Sequence, residues 1–427
     1  MSVRDNYIKD VSTDARWFLA VKAIHRPLLL HSLAPDAYAS SLEKAKVFSE
    51  VGYNPVFTYP HLNLDAVVVA HASLIQLRQL VCQEESNKSI AAVYSEKLDE
   101  LILEQELLAA AAQSDGLAFS EANIRLYKLL DATYVQELLA LIENKTNFFN
   151  GKINFLDLPK TKEVLPKALS VSDSLFKVAQ KIVNGPDIVV GTTEVFTSEL
   201  IVARWNESLK ETMPDWKVAI DTQVTSMLVV HKTRTVKIPP HLKMNAKRMR
   251  KLFVHEIGTH VYRREQGKKN KLQLASIGLA GNQVFEEGLA IVRAQLVSRT
   301  FYQFGGLDKY LTLAIAMGNL DGVPKDFNQT FCLVRDYFLD RLNRKRNGAN
   351  NLSIAEARAW NCTFRIFRGG NPSIPGCCFL KDKIYHEGNR IVWQMIATNP
   401  EYFKTIMQGK YNPQSFLQRE MIQENAQ

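Results

Sequence analysis

The segment KLFVHEIGTHVYRRE, Lys251 to Glu265, holds two histidines and a glutamate in the order His255, Glu256, His260. Met249, Leu252, Phe253 and Ile257 recur at helical spacing, so the segment reads as an amphipathic helix. In the common zinc-peptidase motif the histidines stand four apart, about 40° around a helix, and both imidazoles reach one ion. Here they stand five apart. A regular α-helix would set them about 140° from each other, too far for one tetrahedral site. A π-type turn, whose hydrogen bonds run from i to i+5, fits roughly five residues to one turn and points both rings the same way. Gly258, inside the spacer, tolerates such a distortion at low steric cost. The spacing therefore predicts a π-type widening between His255 and His260. The competing reading is that two of the nine histidines fall together on an ordinary helix.

A catalytic zinc site needs a third protein ligand, often a carboxylate from a following helix. GNQVFEEGLAIVRAQL, Gly281 to Leu296, supplies Glu286 and Glu287 beside Val284, Phe285 and Leu289, with Glu287 27 residues after His260. Two carboxylates among apolar residues ask for a compensating cation, which a metal would provide. The alternative is a pair of glutamates favoured by a helix N-terminal dipole.

The surroundings suit a soluble globular protein. The 427 residues are 46% hydrophobic and 23% charged, enough for two domains or one large domain with a helical annex. The first residues scatter charge and have no apolar core, so no secretory signal is expected. The apolar run AVVVAHASLIQL, broken by His71, falls short of the ~18 residues of a membrane span, and no membrane partner is expected. Five cysteines, two of them the neighbours Cys377 and Cys378, argue against a disulfide framework and for a cytoplasmic location. The formal charge of +9 gathers in KMNAKRMRK, KKNK and RLNRKR. These runs lack the interleaved aromatics of a nucleic-acid stacking surface, so no nucleic acid is expected, while an acidic tail is compatible.

Leu- and Ala-rich amphipathic runs fill the first third, including LNLDAVVVAHASLIQLRQLVCQ, SIAAVYSEKLDELILEQELLAAAA and EANIRLYKLLDATYVQELLALIENK. A passage rich in Val, Ile and Thr follows the middle of the chain: KVAIDT, then MLVVHKTRTVKIPP, which reads as a hairpin or strand pair. The metal helix comes directly after it. RIFRGGNPSIPGCCFLKD reads as a loop or bent hairpin. No glycine-rich nucleotide loop is present. The expected fold is α+β and mostly helical: a helical N-terminal region over residues 1–150, then a catalytic domain over 151–427 with its metal helix under a small sheet.

HEIGTH followed by EEGLA resembles the QEGLA-motif metallopeptidase family, whose bacterial members are often labelled flavohaemoglobin-expression-modulating proteins. Its animal members are the microtubule-associated tyrosine carboxypeptidases, which remove the C-terminal tyrosine of α-tubulin. GYNPVFTY, FRIFRG and KDKIYHEG resemble further segments of the family, so the likeness runs from about residue 15 to about 400. The first glutamate of EEGLA stands where the bacterial motif has glutamine, as in the animal enzymes. The resemblance implies a zincin-like core, one Zn2+ held by His255, His260 and Glu287, and Glu256 as the catalytic glutamate.

Three protein ligands leave a coordination position for water, and Glu256 could take that water's proton and pass it to the leaving amine. Tyr385 or Lys381 is a candidate second donor to the oxyanion. The strand in TRTVKIP is a candidate edge for pairing with an extended peptide. A carboxypeptidase must hold the terminal carboxylate of a peptide or protein tail, a task suited to arginine, and Arg263, Arg365, Arg368 and Lys381 are the candidates. An aminopeptidase would want an acidic anchor, for which Glu286 could serve. An endopeptidase, or a metal-binding regulatory protein without catalysis, remains an alternative. The expected activity is zinc-dependent removal of a C-terminal residue, with the preference for tyrosine or another aromatic implied by the resemblance alone.

Overall fold

The computed structural model describes residues 13–143, 171–183, 185–188, 195–222, 224, 227–300, 304–345 and 348–424. The run NFFNGKINFLDLPKTKEVLP lies outside them. Helices dominate, with two small sheets, as an α+β and mostly helical chain requires. The chain forms two compact units: one of Met1–Phe18, Leu169–Gly305 and Gly388–Gln427, the other of Leu19–Ala168 and Gly306–Glu387. The division differs from the expected boundary at residue 150. Residues 306–387, expected in the catalytic domain, pack instead with the N-terminal helices.

The second unit is built on paired helices. Leu64–Glu84 and Lys88–Ala112 each start at an asparagine whose side chain accepts from the first-turn amides: Asn63 from Ala66, Asn87 from Ser89 and Ile90. Val67, Ala70, Leu74, Leu77 and Val81 recur at helical spacing and are buried along the first of them. Leu64–Glu84 is, among the described residues, the one helix long and apolar enough to cross a membrane. This helix includes the run AVVVAHASLIQL, expected to fall short of a span. It carries Arg78, paired with Asp99 of the neighbouring helix. The long run after Ala112 breaks into Gly116–Tyr127 and Ala132–Glu143 at Lys128, whose φ is +63°. Asp131 then caps the new helix by accepting from the Thr133 amide. Phe57, Phe327, Trp360 and Phe364 pack edge-on or stacked in the same unit. The segment expected as a bent hairpin begins inside a helix, Asn351–Phe367, which therefore carries Arg365.

The first unit holds both sheets. Strands β1 (Val195–Thr197), β2 (Lys217–Ile220), β3 (Leu228–Val230), β4 (Thr235–Ile238) and β5 (Lys243–Asn245) follow in chain order. β1 pairs with β5 antiparallel, while the other sheet has the order β2-β4-β3, with β2 parallel to β4. β4, expected as a free edge, is thus the central strand: β2 occupies one side and β3 the other. Its Val236 and Ile238 are buried in one cluster with Trp205, Met249, Phe253, Ile257 and Val261. The small sheet therefore packs on the helix that carries the histidines, and that shared core fixes where the helix lies.

Candidate metal centre

The helix starts at Asn245, whose side chain accepts from the Arg248 amide. It runs as α-helix over Ala246–Leu252, widens to π-helix over Phe253–Val261 and returns to α over Tyr262–Lys269. The widening covers both histidines and the four residues between them, as the spacing predicts. Its hydrogen bonding is visible in side chains as well. The Thr259 hydroxyl donates to the Val254 carbonyl five residues back, at 2.8 Å. Arg293, buried on the helix Asn282–Ser298, donates to the Gly258 carbonyl and, at 3.2 Å, to the Thr259 hydroxyl. Gly258 is required here for space more than for freedom. A Cβ on it would run into the Pro186 carbonyl oxygen and the Arg293 guanidinium.

The widened turn brings the rings of His255 and His260 to 5.0 Å between centroids, nearly perpendicular at 81°. Glu287 meets them from the helix Asn282–Ser298. Its Oε2 lies 3.6 Å from His255 Nε2 and 3.7 Å from His260 Nε2. The three donor atoms lie within 4.8 Å of one another and could hold a metal ion. Donors about 2.0–2.2 Å from a tetrahedral zinc stand roughly 3.4 Å apart, so this donor set fits that ion. Gly288 and Gly388 seat the carboxylate helix. A Cβ on Gly288 would collide with the Gly388 carbonyl, and one on Gly388 with the Val284 carbonyl. The two backbones cross with no side chain between them.

Glu286 does different work from its neighbour. Its Oε1 is 2.8 Å from His260 Nδ1 and 3.0 Å from Lys410 Nζ, and its Oε2 pairs with Arg263. Nδ1–H of His260 is thereby given an acceptor, which leaves Nε2 to face Glu287. Burial alone would raise the Glu286 carboxyl, but Lys410, Arg263 and His260 hold it well below the ordinary range. His260 is opposed by burial and raised on balance by Glu286, Glu287 and Glu256. Glu256 itself is half-buried in the π-turn, and its carboxylate makes no hydrogen bond or ion pair among the described residues.

These contacts correct two expectations. Arg263 is completely buried, with Nε donating to the Ile406 carbonyl at 2.9 Å, Nη2 to the Gly409 carbonyl at 2.6 Å, and Nη1 to Glu286. It has nothing left for a substrate carboxylate. Glu286 is likewise taken up by Arg263, Lys410 and the Nδ1–H of His260, which leaves it poorly suited to anchor a substrate amine. Sequence reading also missed His231, just after β3. Burial first, then the charges of Arg264, Lys410 and His260, push its imidazole down to about 3, so it stays neutral, with Nδ1 buried and unbonded. Its signal was a histidine following a strand, which by itself says little.

Arg365, Arg368, Lys381 and Tyr385 belong to the other unit. There Arg365 grips Asp382, Nε to Oδ2 at 2.6 Å and Nη2 to Oδ1 at 3.0 Å. Arg368 stands 4.0 Å from Asp382 and lies over Phe379, its Nε buried without a partner. Lys381 and Lys309 approach the Tyr385 ring at 5.8 Å and 4.2 Å. The structure thus brings these four together around Asp382, adding Lys309, which sequence reading did not single out.

Residues 135–303 match the family model described as "Microtubule-associated tyrosine carboxypeptidase". The matched span contains His255, Glu256, His260, Glu286 and Glu287 and ends before Arg365. It relates this part of the chain to the tyrosine carboxypeptidases. Neither a curated protein nor a solved structure matches the chain.

Proposed function

We propose that the chain is a zinc-dependent carboxypeptidase with a zincin-like core, acting on the C-terminal residue of a peptide or protein tail. The observation that carries this reading is the convergence of His255, His260 and Glu287 across a π-turn that also bears an unpaired carboxylate, Glu256. A zinc ion held by those three side chains would supply Lewis acidity at the scissile carbonyl and at water.

The chain's own residues account for the rest. The Glu256 carboxylate accepts a proton from the attacking water and returns it to the departing amine nitrogen. Glu286 keeps the His260 tautomer fixed, Nδ1 protonated and Nε2 free. A structural site would have no use for an unpaired carboxylate beside a ligand, which favours catalysis over metal binding alone. Tyrosine or another aromatic is proposed as the residue removed, because the matching family model is named for tyrosine carboxypeptidases. Arg365, Arg368, Lys381 and Tyr385 are proposed as substrate contacts on the resemblance alone, with Arg365 the weakest since Asp382 already holds it. Five cysteines without an evident framework support a cytoplasmic setting.

Peptides ending in tyrosine test the reading, one set with a free C-terminal carboxylate and one amidated. The free form is expected to lose its tyrosine, the amidated form to resist, and Glu256→Gln to abolish cleavage while leaving metal content unchanged. Equal cleavage of both forms would point to an endopeptidase. Full activity in Glu256→Gln would remove the assigned base.

A further inference from the structure

Val254 of the π-turn lines a cavity in the unit that holds the sheets, of about 310 Å³, together with Asp187, Arg250, Arg293, Leu296 and Arg299. None of His255, Glu256, His260 or Glu287 lines it. Its charge is unbalanced. Arg250 is matched by Asp187, Nε to Oδ1 at 2.9 Å and to Oδ2 at 3.1 Å. Among the described residues, Arg293 donates hydrogen bonds to neutral oxygens: the Gly258 and Pro186 carbonyls and the Thr259 hydroxyl. Arg299 caps the carboxylate helix in the left-handed region at φ +51°, its amide donating to the Gln295 carbonyl, and its side chain makes no hydrogen bond or ion pair among the described residues. Among the described residues, three guanidinium groups therefore face one carboxylate, an excess of two positive charges.

A guanidinium that is 4% exposed, feels Asp187 only at a distance and has no salt bridge among the described residues is costly unless an anion offsets it. Burial holds Arg293 below the usual arginine range, to about 10. A left-handed arginine at the rim adds backbone strain of the kind retained at binding sites. The cavity is roughly ten times the ~30 Å³ share of one liquid water, enough for a tetrahedral oxyanion with a small substituent. A phosphate group carries about −1.5 to −2 charges near neutral pH, which matches the excess, and planar guanidinium forks suit its oxygens.

We propose that this cavity binds a phosphate group, either inorganic phosphate or a small phosphomonoester, between Arg293 and Arg299. Arg293 then links the anion to Gly258 and Thr259, the residues inside the histidine spacer, so occupancy bears on the π-turn from a site separate from the metal ligands. This inference does not depend on the peptidase reading.

Isothermal titration of the full chain with inorganic phosphate and with glycerol 3-phosphate, at ionic strength fixed by sodium chloride, tests it. Saturable one-site binding is expected for at least one probe, and which probe binds tells free phosphate from ester. Arg299→Gln should weaken that binding about tenfold or more, the loss expected for one charge-assisted contact. Asp187→Asn, which releases Arg250, should tighten it. No saturable binding of either probe would overturn the proposal. So would binding unchanged in Arg299→Gln, since a phosphate on the metal ligands is indifferent to that residue. If Arg299→Gln does not fold, Asp187→Asn decides, and unchanged affinity there counts against the site.

Discussion

The Nδ1 of His260 lies 2.8 Å from Oε1 of Glu286, so the glutamate next to the proposed ligand holds the side of the imidazole that faces away from Glu287. Two adjacent carboxylates thus take separate roles. Glu287 Oε2 faces the Nε2 atoms of both histidines, and Glu286 faces Nδ1 of one of them together with Arg263 and Lys410.

Removing the Glu286 carboxylate leaves Arg263 buried and unpaired. Glu286→Ala is expected to lose roughly 3–5 kcal/mol of stability, the usual result of stripping one partner from a buried ion pair. Glu286→Gln keeps the shape and should weaken metal binding by roughly 10–100-fold with a smaller loss of stability. Urea denaturation and competition with a chromophoric chelator measure the two effects separately. A variant with unchanged metal affinity would show that Glu286 does not orient His260.

Arg263 is predicted to be a stability residue. Arg263→Gln should lower the urea midpoint strongly, because Glu286 and the Ile406 and Gly409 carbonyls lose their donor. In the folded fraction the ratio of cleavage rates for free and amidated peptides should stay at the wild-type value. A selective loss on free-carboxylate peptides would return Arg263 to the substrate site.

Gly258→Ala tests the widened turn. The added methyl meets the Pro186 carbonyl and the Arg293 guanidinium, so a destabilisation of about 1–3 kcal/mol is expected from overpacking. Zinc affinity should fall as well, because the turn that aligns the histidines must shift. Loss of stability with intact zinc affinity would separate the turn from the ligand geometry.

In the other unit, Asp382 supplies an acid-sensitive contact. Burial opposes its ionisation, yet the Arg365 hydrogen bond and charge hold its carboxyl at about 2, below the ordinary 3.8. The folded pKa is the lower one, so the contribution is fully present above about 3.8 and is lost as pH falls towards about 2. For this nearly buried group it amounts to roughly 2 kcal/mol. Thermal midpoints of wild type and Asp382→Asn should converge as pH drops through that window. Parallel curves would mean the pair contributes nothing.

The residues close in sequence were the legible ones. Two histidines five apart with Gly258 between them admit few ways of joining their imidazoles, and the π-turn follows from helix geometry. The choice of Glu287 over Glu286 needed the family resemblance, since both carboxylates stand at the same helix start. Arg293, Lys410 and His231 reach the centre from distant parts of the chain, and nothing local marks an arginine whose partners are the carbonyls of another element. The error over β4 has the same origin. KVAI and TVKI are both good strand sequences, and only long-range parallel pairing makes the second a central strand. The break at Lys128 escaped notice because it has neither glycine nor proline.

The most direct measurement is the zinc content of the purified protein by mass spectrometry, with Glu287→Ala prepared in parallel. The account predicts close to one zinc per wild-type chain, and little or none in the variant. A wild-type protein that carries no zinc and takes up none when it is supplied would contradict it.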